Sequence, residues 1–200
     1  MTQLYTKEAQ KCLALPAQLP EFAYAGGSVT AAATQNAGLD LTADLFGPNL
    51  DAAVASYLAN KSAAGCQREV QKRAQAVFDQ LWSMARSSKR TALRGSMTIR
   101  AAAKVDELQN TILGSITADA RQALSRTMTA LAQKTADKCT GQPLGTLFRG
   151  ACAASPGPGE LAACAAASAR CRFCQSLNAT DVMTLACDGF DDGAADGSCQ

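Results

Sequence analysis

The chain is 200 residues long, 48% hydrophobic, 18% charged and only 5% aromatic, with a formal net charge of +2 at pH 7. This length suits one domain, or one domain with a small appendage, and the small net charge indicates no particular class of partner. The chain contains no histidine, which excludes Cys–His and Ser–His–Asp nucleophiles, c-type haem attachment and the commonest zinc ligand.

Alanine makes up much of the hydrophobic fraction. Because alanine has the highest helix propensity, the composition favours an all-α fold. Alanine also buries little surface, whereas each fully buried large side chain contributes about 1.5–3 kcal/mol. The expected interior is therefore thin, and covalent cross-links would help to stabilise it.

Residues 1–65 are predicted to be a loop-rich N-terminal region with short helices. Residues 1–14 can form one short helix, and residues 19–48, rich in Gly, Ala and Thr, lack a sustained hydrophobic period, which indicates a long loop with at most one short helix. A further helix is predicted after Asn49 or Asp51, either of which can cap it. Its apolar stripe would be Leu50, Val54, Tyr57 and Leu58.

Residues 66–138 are predicted to form long amphipathic helices. Hydrophobic residues recur there at steps of three and four, which places them on one face of each helix. A turn is predicted near residues 87–96, and Gly114 is expected to kink or divide the second helix. The apolar positions are Val70, Ala74, Val77, Phe78, Leu81, Met84 and Ala85 in the first helix, and Val105, Leu108, Ile112, Ile116, Ala120, Leu124, Met128 and Leu131 in the second.

Residues 139–200 are predicted to form a cysteine-rich C-terminal cap. Glycine and proline interrupt regular structure first, and residues 160–177 then predict one Ala-rich helix. The stretch from Cys187 to Cys199 is predicted to be a loop without secondary structure of its own. The expected fold is all-α: an amphipathic helix bundle or a long helical hairpin, with a C-terminal helix and loop stapled by disulfides.

Seven of the nine cysteines lie after residue 138. Three of them, Cys164, Cys171 and Cys174, are spaced so that a helix presents them on one face, where they can meet cysteines of the flanking loops. The six cysteines from Cys152 onward allow many connectivities, which the sequence does not distinguish.

Two further cysteines flank the helical stretch, and Cys12 is left as the odd thiol. Cys66 and Cys139 would join the ends of that stretch if it folds back as a hairpin. The cysteines predicted to form disulfides are Cys66, Cys139, Cys152, Cys164, Cys171, Cys174, Cys187 and Cys199.

The cysteine density predicts an oxidising compartment, either the periplasm or the cell exterior. The stretch from Met1 to Ala25 lacks the basic and apolar regions of a secretory signal. Three alternatives therefore stay open: the signal lies upstream of this chain, export is unconventional, or the thiols are reduced in the cytosol. No window approaches the roughly 18 uninterrupted apolar residues of a membrane span.

The clustered cysteines also allow two sharper interpretations. A zinc site could use Cys164, Cys171, Cys174 and Cys187, although standard zinc ribbons have two C-x2-C pairs. A thioredoxin-like redox pair needs its C-x-x-C at the start of a helix after a strand, whereas Cys171 and Cys174 are predicted in mid-helix. Structural disulfides are therefore preferred.

Aspartates alternate with glycines near the C-terminus. Calcium takes oxygen ligands on a flexible loop with a glycine at the sharp bend, and aligning Gly193 with that glycine of an EF-hand places Asp188, Asp192 and Asp196 at ligand positions. The match is partial, because Cys199 replaces the bidentate glutamate that ends such a loop. A solvated acidic turn between Cys187 and Cys199, with no cofactor, is therefore the preferred interpretation, and calcium binding is the alternative.

Charge is distributed unevenly along the chain. Between Arg68 and Lys104 there are nine basic residues and two acidic ones, whereas residues 178–200 contain five aspartates and no basic residue. A solvated helix face is the preferred interpretation, and the alternative is that the basic helix meets a protein or an anionic envelope surface. It lacks interleaved aromatics and any nucleic-acid motif, so nucleic acid is not the expected partner. The basic residues are Arg68, Lys72, Arg73, Arg86, Lys89, Arg90, Arg94, Arg100 and Lys104.

The C-terminal third carries a resemblance. The segment R-C-R-F-C-Q-S-L-N-A-T-D...C-D-G-F-D-D-G-A-A-D-G-S-C, preceded by D-K-C-T-G and A-C-A-A-S, resembles the ending of a group of uncharacterised, Ala- and Lys-rich, cysteine-rich exported proteins of environmental bacteria. The resemblance covers roughly residues 137–199. It implies export and disulfides, and it implies no mechanism.

These observations predict an exported, disulfide-stabilised helical protein with a structural or binding role and no enzymatic activity. No catalytic residue is identified, because no nucleophile, base or phosphate-binding glycine loop stands out. The alternative is a metal-binding module, with calcium on the acidic loop or zinc on the clustered cysteines.

Overall fold

The computed structural model describes residues 24–95 and 105–199, together with the isolated residue Thr6. All regular structure within these ranges is helical, which confirms the predicted all-α fold. The elements are α1 (Gly27–Phe46), α2 (Leu50–Ala53), α3 (Lys61–Gly95), α4 (Val105–Ala118), α5 (Ala123–Cys139), α6 (Leu144–Leu147), a 3-10 turn (Ala151–Ala154), α7 (Pro158–Asp181) and α8 (Cys187–Asp191).

Helix α3 is the longest element, and α4 and α5 return along it. Its 35 residues correspond to a length of about 52 Å. The disulfide between Cys66 and Cys139 joins the start of α3 to the end of α5, so α5 runs antiparallel to α3. Helices α4 and α5 together are about 46 Å long and therefore cover most of α3.

Helix α7 completes a four-helix arrangement, because it packs against α1, α3 and α5. Contacts of Phe173 with Trp82, and of Asp181 with Lys89, show that α7 runs parallel to α3. A hydrogen bond from the Ala25 amide to the carbonyl of Thr180 starts α1 at the far end of α7, so α1 runs antiparallel to it.

The predicted amphipathic stripes form the core. The α3 positions Val70, Ala74, Val77 and Leu81 are fully buried, at the three- and four-residue steps of one helix face. They face a second stripe on α4 and α5, buried at Leu108, Ile112, Ile116, Leu124 and Leu131. Of the predicted core positions, Met84, Val105 and Met128 are only partly buried and Ala120 is exposed.

The predicted long loop over residues 19–48 is wrong where the structure describes it, because residues 27–46 form a 20-residue helix. The hydrophobic pattern of α1 is weak, since Gly38 and several threonines interrupt it. Its buried side chains Ala37, Leu41 and Leu45 nevertheless recur every four residues and pack in the core. Tertiary packing therefore stabilises a helix that the local hydrophobic pattern does not predict.

The turn predicted at residues 87–96 is also wrong where the structure describes it, and so is the predicted division of the second helix at Gly114. Helix α3 continues to Gly95, and Gly114 lies inside α4. The break falls at Asp119–Gln122, where both of these residues adopt left-handed φ angles. The Asp119 carboxylate accepts hydrogen bonds from the amides of Leu124 and Ser125 and so caps α5. It also accepts one from the Ser125 hydroxyl, and this bond, followed by those from the amides, lowers the pKa of Asp119 because it favours the charged form.

Two further local predictions need correction. The helix predicted after Asn49 is only one turn, Leu50–Ala53, capped by the Asn49 side chain, and its expected stripe residues Val54, Tyr57 and Leu58 are exposed beyond it. The loop predicted from Cys187 to Cys199 begins with the short helix α8. The predicted helix over residues 1–14 lies outside the described residues, apart from Thr6.

The segment after α6 crosses the end of α1 at close range, which only a glycine permits. The Gly150 amide donates to the carbonyl of Leu45. A β-carbon on Gly150 would lie 2.0 Å from the carbonyl oxygen of Asp44, well inside van der Waals contact. The absence of a side chain at residue 150 is therefore what lets the two backbones meet.

We predict that Gly150→Ala lowers the free energy of unfolding by roughly 3 kcal/mol, at the upper end of the usual cost of overpacking. Gly38→Ala is the matched control, because a β-carbon at this α1 position meets nothing within 4 Å, and it should stabilise the helix by up to about 1 kcal/mol. Urea denaturation of both variants measures the difference, and equal stabilities would contradict the close approach.

Candidate functional site

Helix α7 carries three cysteines, and each is bonded to a different neighbouring segment. The predicted meeting of these sulfurs with the flanking loops is confirmed, and the structure selects one connectivity. One bridge holds the 3-10 turn, one holds the end of the chain, and one holds the start of α8. They are Cys152–Cys164, Cys171–Cys199 and Cys174–Cys187.

The predicted bridge between Cys66 and Cys139 is also confirmed, and it closes the largest loop, with a sequence separation of 73. Cys12 lies outside the described residues. Together the four bridges indicate an oxidising, extracytoplasmic compartment. Among the helices that the structure describes, none is both long and apolar enough to cross a membrane.

The zinc interpretation requires four free thiolates. The structure instead places Cys164, Cys171, Cys174 and Cys187 each in a disulfide. Cys171 and Cys174 are bonded to different partners and not to each other, so the C-x-x-C sequence serves here to attach two separate stretches of chain to one helix.

The acidic C-terminal segment is anchored to α7 by an aromatic contact as well as by sulfur. The Phe190 ring of α8 lies 5.8 Å from that of Phe173, and the Phe173 ring meets Trp82 edge-on at 5.5 Å. The Arg170 guanidinium lies over the Phe190 ring at 5.2 Å. Burial lowers the pKa of Arg170, although the nearby carboxylate of Asp191 opposes the shift.

The predicted calcium ligands Asp188, Asp192 and Asp196 lie in this segment, and each accepts hydrogen bonds from the loop's own backbone. Asp188 accepts from the amides of Gly197 and Cys199, and the other two accept from amides two residues ahead. No group of three or more Cys, Asp or Glu side chains placed to hold a metal ion occurs in residues 24–95 and 105–199. Calcium binding stays a prediction.

An ion pair joins the C-terminal end of α7 to α3. The Lys89 ammonium lies 2.8 Å from the carboxylate of Asp181, whose side chain is only 10% exposed. Burial raises the pKa of Asp181 because it disfavours the charged form, and the attraction of Lys89 offsets this only in part. The predicted basic residue Lys89 is thus turned inward.

A second ion pair joins α1 to α7, and the sequence offered no signal for it. The Arg172 guanidinium donates twice to the carboxylate of Asp44, at 2.6 Å each, and once to the side-chain oxygen of Gln175. The hydrogen bonds to Asp44 raise the pKa of Arg172. Since 128 residues separate the partners, only the folded chain brings them together.

Four of the predicted basic residues form one exposed line along α3. Residues 18 apart on a helix are separated by about five full turns, or roughly 27 Å, so Arg86 is in line with Arg68, and Arg90 with Lys72. All four are exposed. We call Arg68, Lys72, Arg86 and Arg90 the basic stripe.

The other predicted basic residues do not add to the stripe. Arg73 pairs with Glu69 at 2.7 Å, and Lys89 faces Asp181. The exposed Asp79 lies between the two halves of the stripe. The side chains of Arg94, Arg100 and Lys104 lie outside the described part of the chain.

Sequence reasoning missed an exposed hydrophobic segment before α3. Leu50, Val54, Tyr57 and Leu58 all project into solvent, and Leu58 is 96% exposed. We call these four residues the apolar tip. The spacing of these residues predicts the buried face of a helix, whereas the structure leaves them exposed.

Comparison with known proteins adds no identification: neither a protein-family model, nor a curated protein, nor a solved structure matches this chain.

We predict that removing the Cys66–Cys139 bridge by paired serine substitutions lowers the free energy of unfolding by roughly 4 kcal/mol, since a cross-link stabilises mainly by constraining the unfolded chain. The matched control removes Cys174–Cys187, whose separation is 13, and should cost roughly 3 kcal/mol. Urea denaturation gives both values. A smaller loss from the first bridge than from the second would contradict the expected order.

We predict that Asp181→Asn changes the pH dependence of stability. Because the pKa of Asp181 is raised in the folded state, its contribution is fully present below the ordinary carboxyl pKa of 3.8 and is lost as the pH rises through the raised value. As the pH rises from acidic to neutral, the melting temperature of the variant should therefore increase relative to that of the wild type. Asp137→Asn, at a carboxylate 56% exposed, is the control, and parallel curves for Asp181→Asn would refute the prediction.

Proposed function

We propose that this protein is an exported, non-enzymatic binding protein that meets an anionic partner at the cell envelope, in the periplasm or on the cell exterior, through the basic stripe of α3. The observation that carries the proposal is the alignment of Arg68, Lys72, Arg86 and Arg90 on one exposed line of a long helix.

The stripe differs in its pairing from three other basic side chains of the bundle. Arg73, Lys89 and Arg172 each face a carboxylate within the protein, whereas no ion pair involving a stripe residue is found over the described ranges. Like charges four residues apart on a helix destabilise it by about 0.2–0.5 kcal/mol per pair. An anionic partner would offset this repulsion and would itself be attracted to the stripe.

The disulfides support a role outside the cytosol, in an oxidising compartment. Three of the four bridges fasten peripheral segments to α7, and the fourth fixes α5 against α3, the helix that carries the stripe. The stripe is consequently presented on a rigid support. Rigidity before binding lowers the entropic cost of association.

We predict that replacing all four stripe residues with glutamine makes the protein elute from heparin at markedly lower salt, because retention on a polyanion depends on the density of clustered charge. The control removes the same number of exposed charges elsewhere, at Arg121, Arg126, Lys134 and Arg149. Equal losses for the two variants, or retention that does not change with salt, would overturn the proposed function.

A further inference from the structure

The apolar tip brings four exposed hydrophobic side chains together within one short stretch of the described chain. Seven large hydrophobic side chains are exposed in the part of the chain that the structure describes, and four of them, the apolar tip, fall between Leu50 and Leu58. Isolated surface leucines are common in proteins, whereas a run of them marks an interaction site.

The backbone around the tip is tied down, so the exposure is enforced by the fold. The buried side-chain amide of Gln67 donates to the carbonyls of Ala53 and Leu147, and its oxygen accepts from the Ala55 amide at 2.7 Å. On the other side, Asn60 caps α3 by accepting from the Ala63 amide at 2.9 Å. Tyr57 and Leu58 therefore stand on a turn fixed at both ends.

Basic side chains lie at the end of the bundle that carries the tip. The Lys61 ammonium lies 5.7 Å from the centroid of the Tyr57 ring, and the stripe begins at Arg68, two turns further along α3. The disulfide between Cys66 and Cys139 brings the exposed Lys138 to the same end of the bundle. The exposed Asp51 is the acidic residue within the tip segment itself.

We propose that the apolar tip inserts into the surface of an anionic phospholipid bilayer, while Lys61 and the near end of the basic stripe contact the headgroups. Exposed leucine and valine side chains next to clustered cations match the acyl boundary and the charged headgroups of such a surface. Tyrosine is typical of this boundary because its ring is apolar and its hydroxyl polar. The inference rests on the proposed function in one respect, the attraction of the basic stripe to an anionic surface.

A second copy of the chain fits the apolar tip less well than an anionic bilayer does. A symmetric dimer through the tip would place the same patch on both subunits. Lys61 and Arg68 of one copy would then approach those of the other, and like charges across an interface weaken it. An anionic lipid surface has the complementary charge.

The experiment measures co-sedimentation of the full chain with vesicles of phosphatidylglycerol and phosphatidylcholine, and with phosphatidylcholine alone. The wild type should bind the mixed vesicles preferentially. Leu58→Ser should weaken that binding roughly tenfold, the equivalent of burying one leucine side chain. Leu39→Ser is the matched control, because Leu39 is a leucine of α1, 61% exposed, outside the tip.

Folding does not confound this comparison, since a side chain as exposed as Leu58 contributes little to the core, and the melting temperatures should be unchanged. Failure of the wild type to bind, or equal binding by the two serine variants, would overturn the inference. So would a concentration-dependent dimer that Leu58→Ser abolishes, because it would assign the tip to a second copy.

Heparin separates this inference from the proposed function. Leu58→Ser should keep wild-type retention on heparin, which has no acyl chains, while it loses vesicle binding. If the four-glutamine variant of the stripe is retained on heparin like the wild type, the proposed function fails, and the inference about the tip is then decided by the two serine variants on vesicles alone.

Discussion

The packing of α7 against three other helices is the constraint on which the rest of this structure depends. The N-terminal half of its buried face is made mainly of alanine, at positions 162, 165, 166 and 169, and small side chains allow neighbouring helices to approach closely. Such contacts bury little area per residue, so they contribute less than a core of large side chains would. The disulfides compensate for this, because three of the four end on α7 and each contributes on the order of 3 kcal/mol.

Ion pairs inside the bundle complement the sulfur bridges. The pair between Arg172 and Asp44 positions α1 on α7, and the pair between Lys89 and Asp181 positions the end of α7 on α3. Both involve side chains that are largely withdrawn from water, so breaking either pair by removing one partner would leave a poorly solvated charge. The ion pairs therefore favour one alignment of the helices. The alanine side chains of α7 alone would distinguish only weakly between that alignment and others.

The ion pairs within the bundle explain which charged side chains stay unpaired on its described surface. Lys89 and Arg73 are engaged within the bundle, and the C-terminal aspartates bind the amides of their own loop, which leaves the basic stripe as an aligned set of exposed cations. The apolar tip lies at the start of the same helix, held by Gln67 and Asn60. A cationic helix face that ends in a fixed hydrophobic turn is a coherent surface for an anionic lipid partner.

The sequence by itself determined the helical class, the amphipathic stripes of α3 to α5 and the Ala-rich helix α7, because these follow from periodicity and propensity within short segments. It predicted the pairing of Cys66 with Cys139 only on the condition that the helical stretch between them folds back as a hairpin. Only the tertiary structure decided that residues 27–46 form a helix, that α3 runs on to Gly95, and which loop cysteines meet α7. The existence of α1 depends on packing and on an ion pair to a residue 128 positions away, and no local pattern contains that information. The apolar tip also shows what local spacing cannot predict. Hydrophobic spacing indicates which residues can share a face, and only the neighbouring helices determine whether that face is covered.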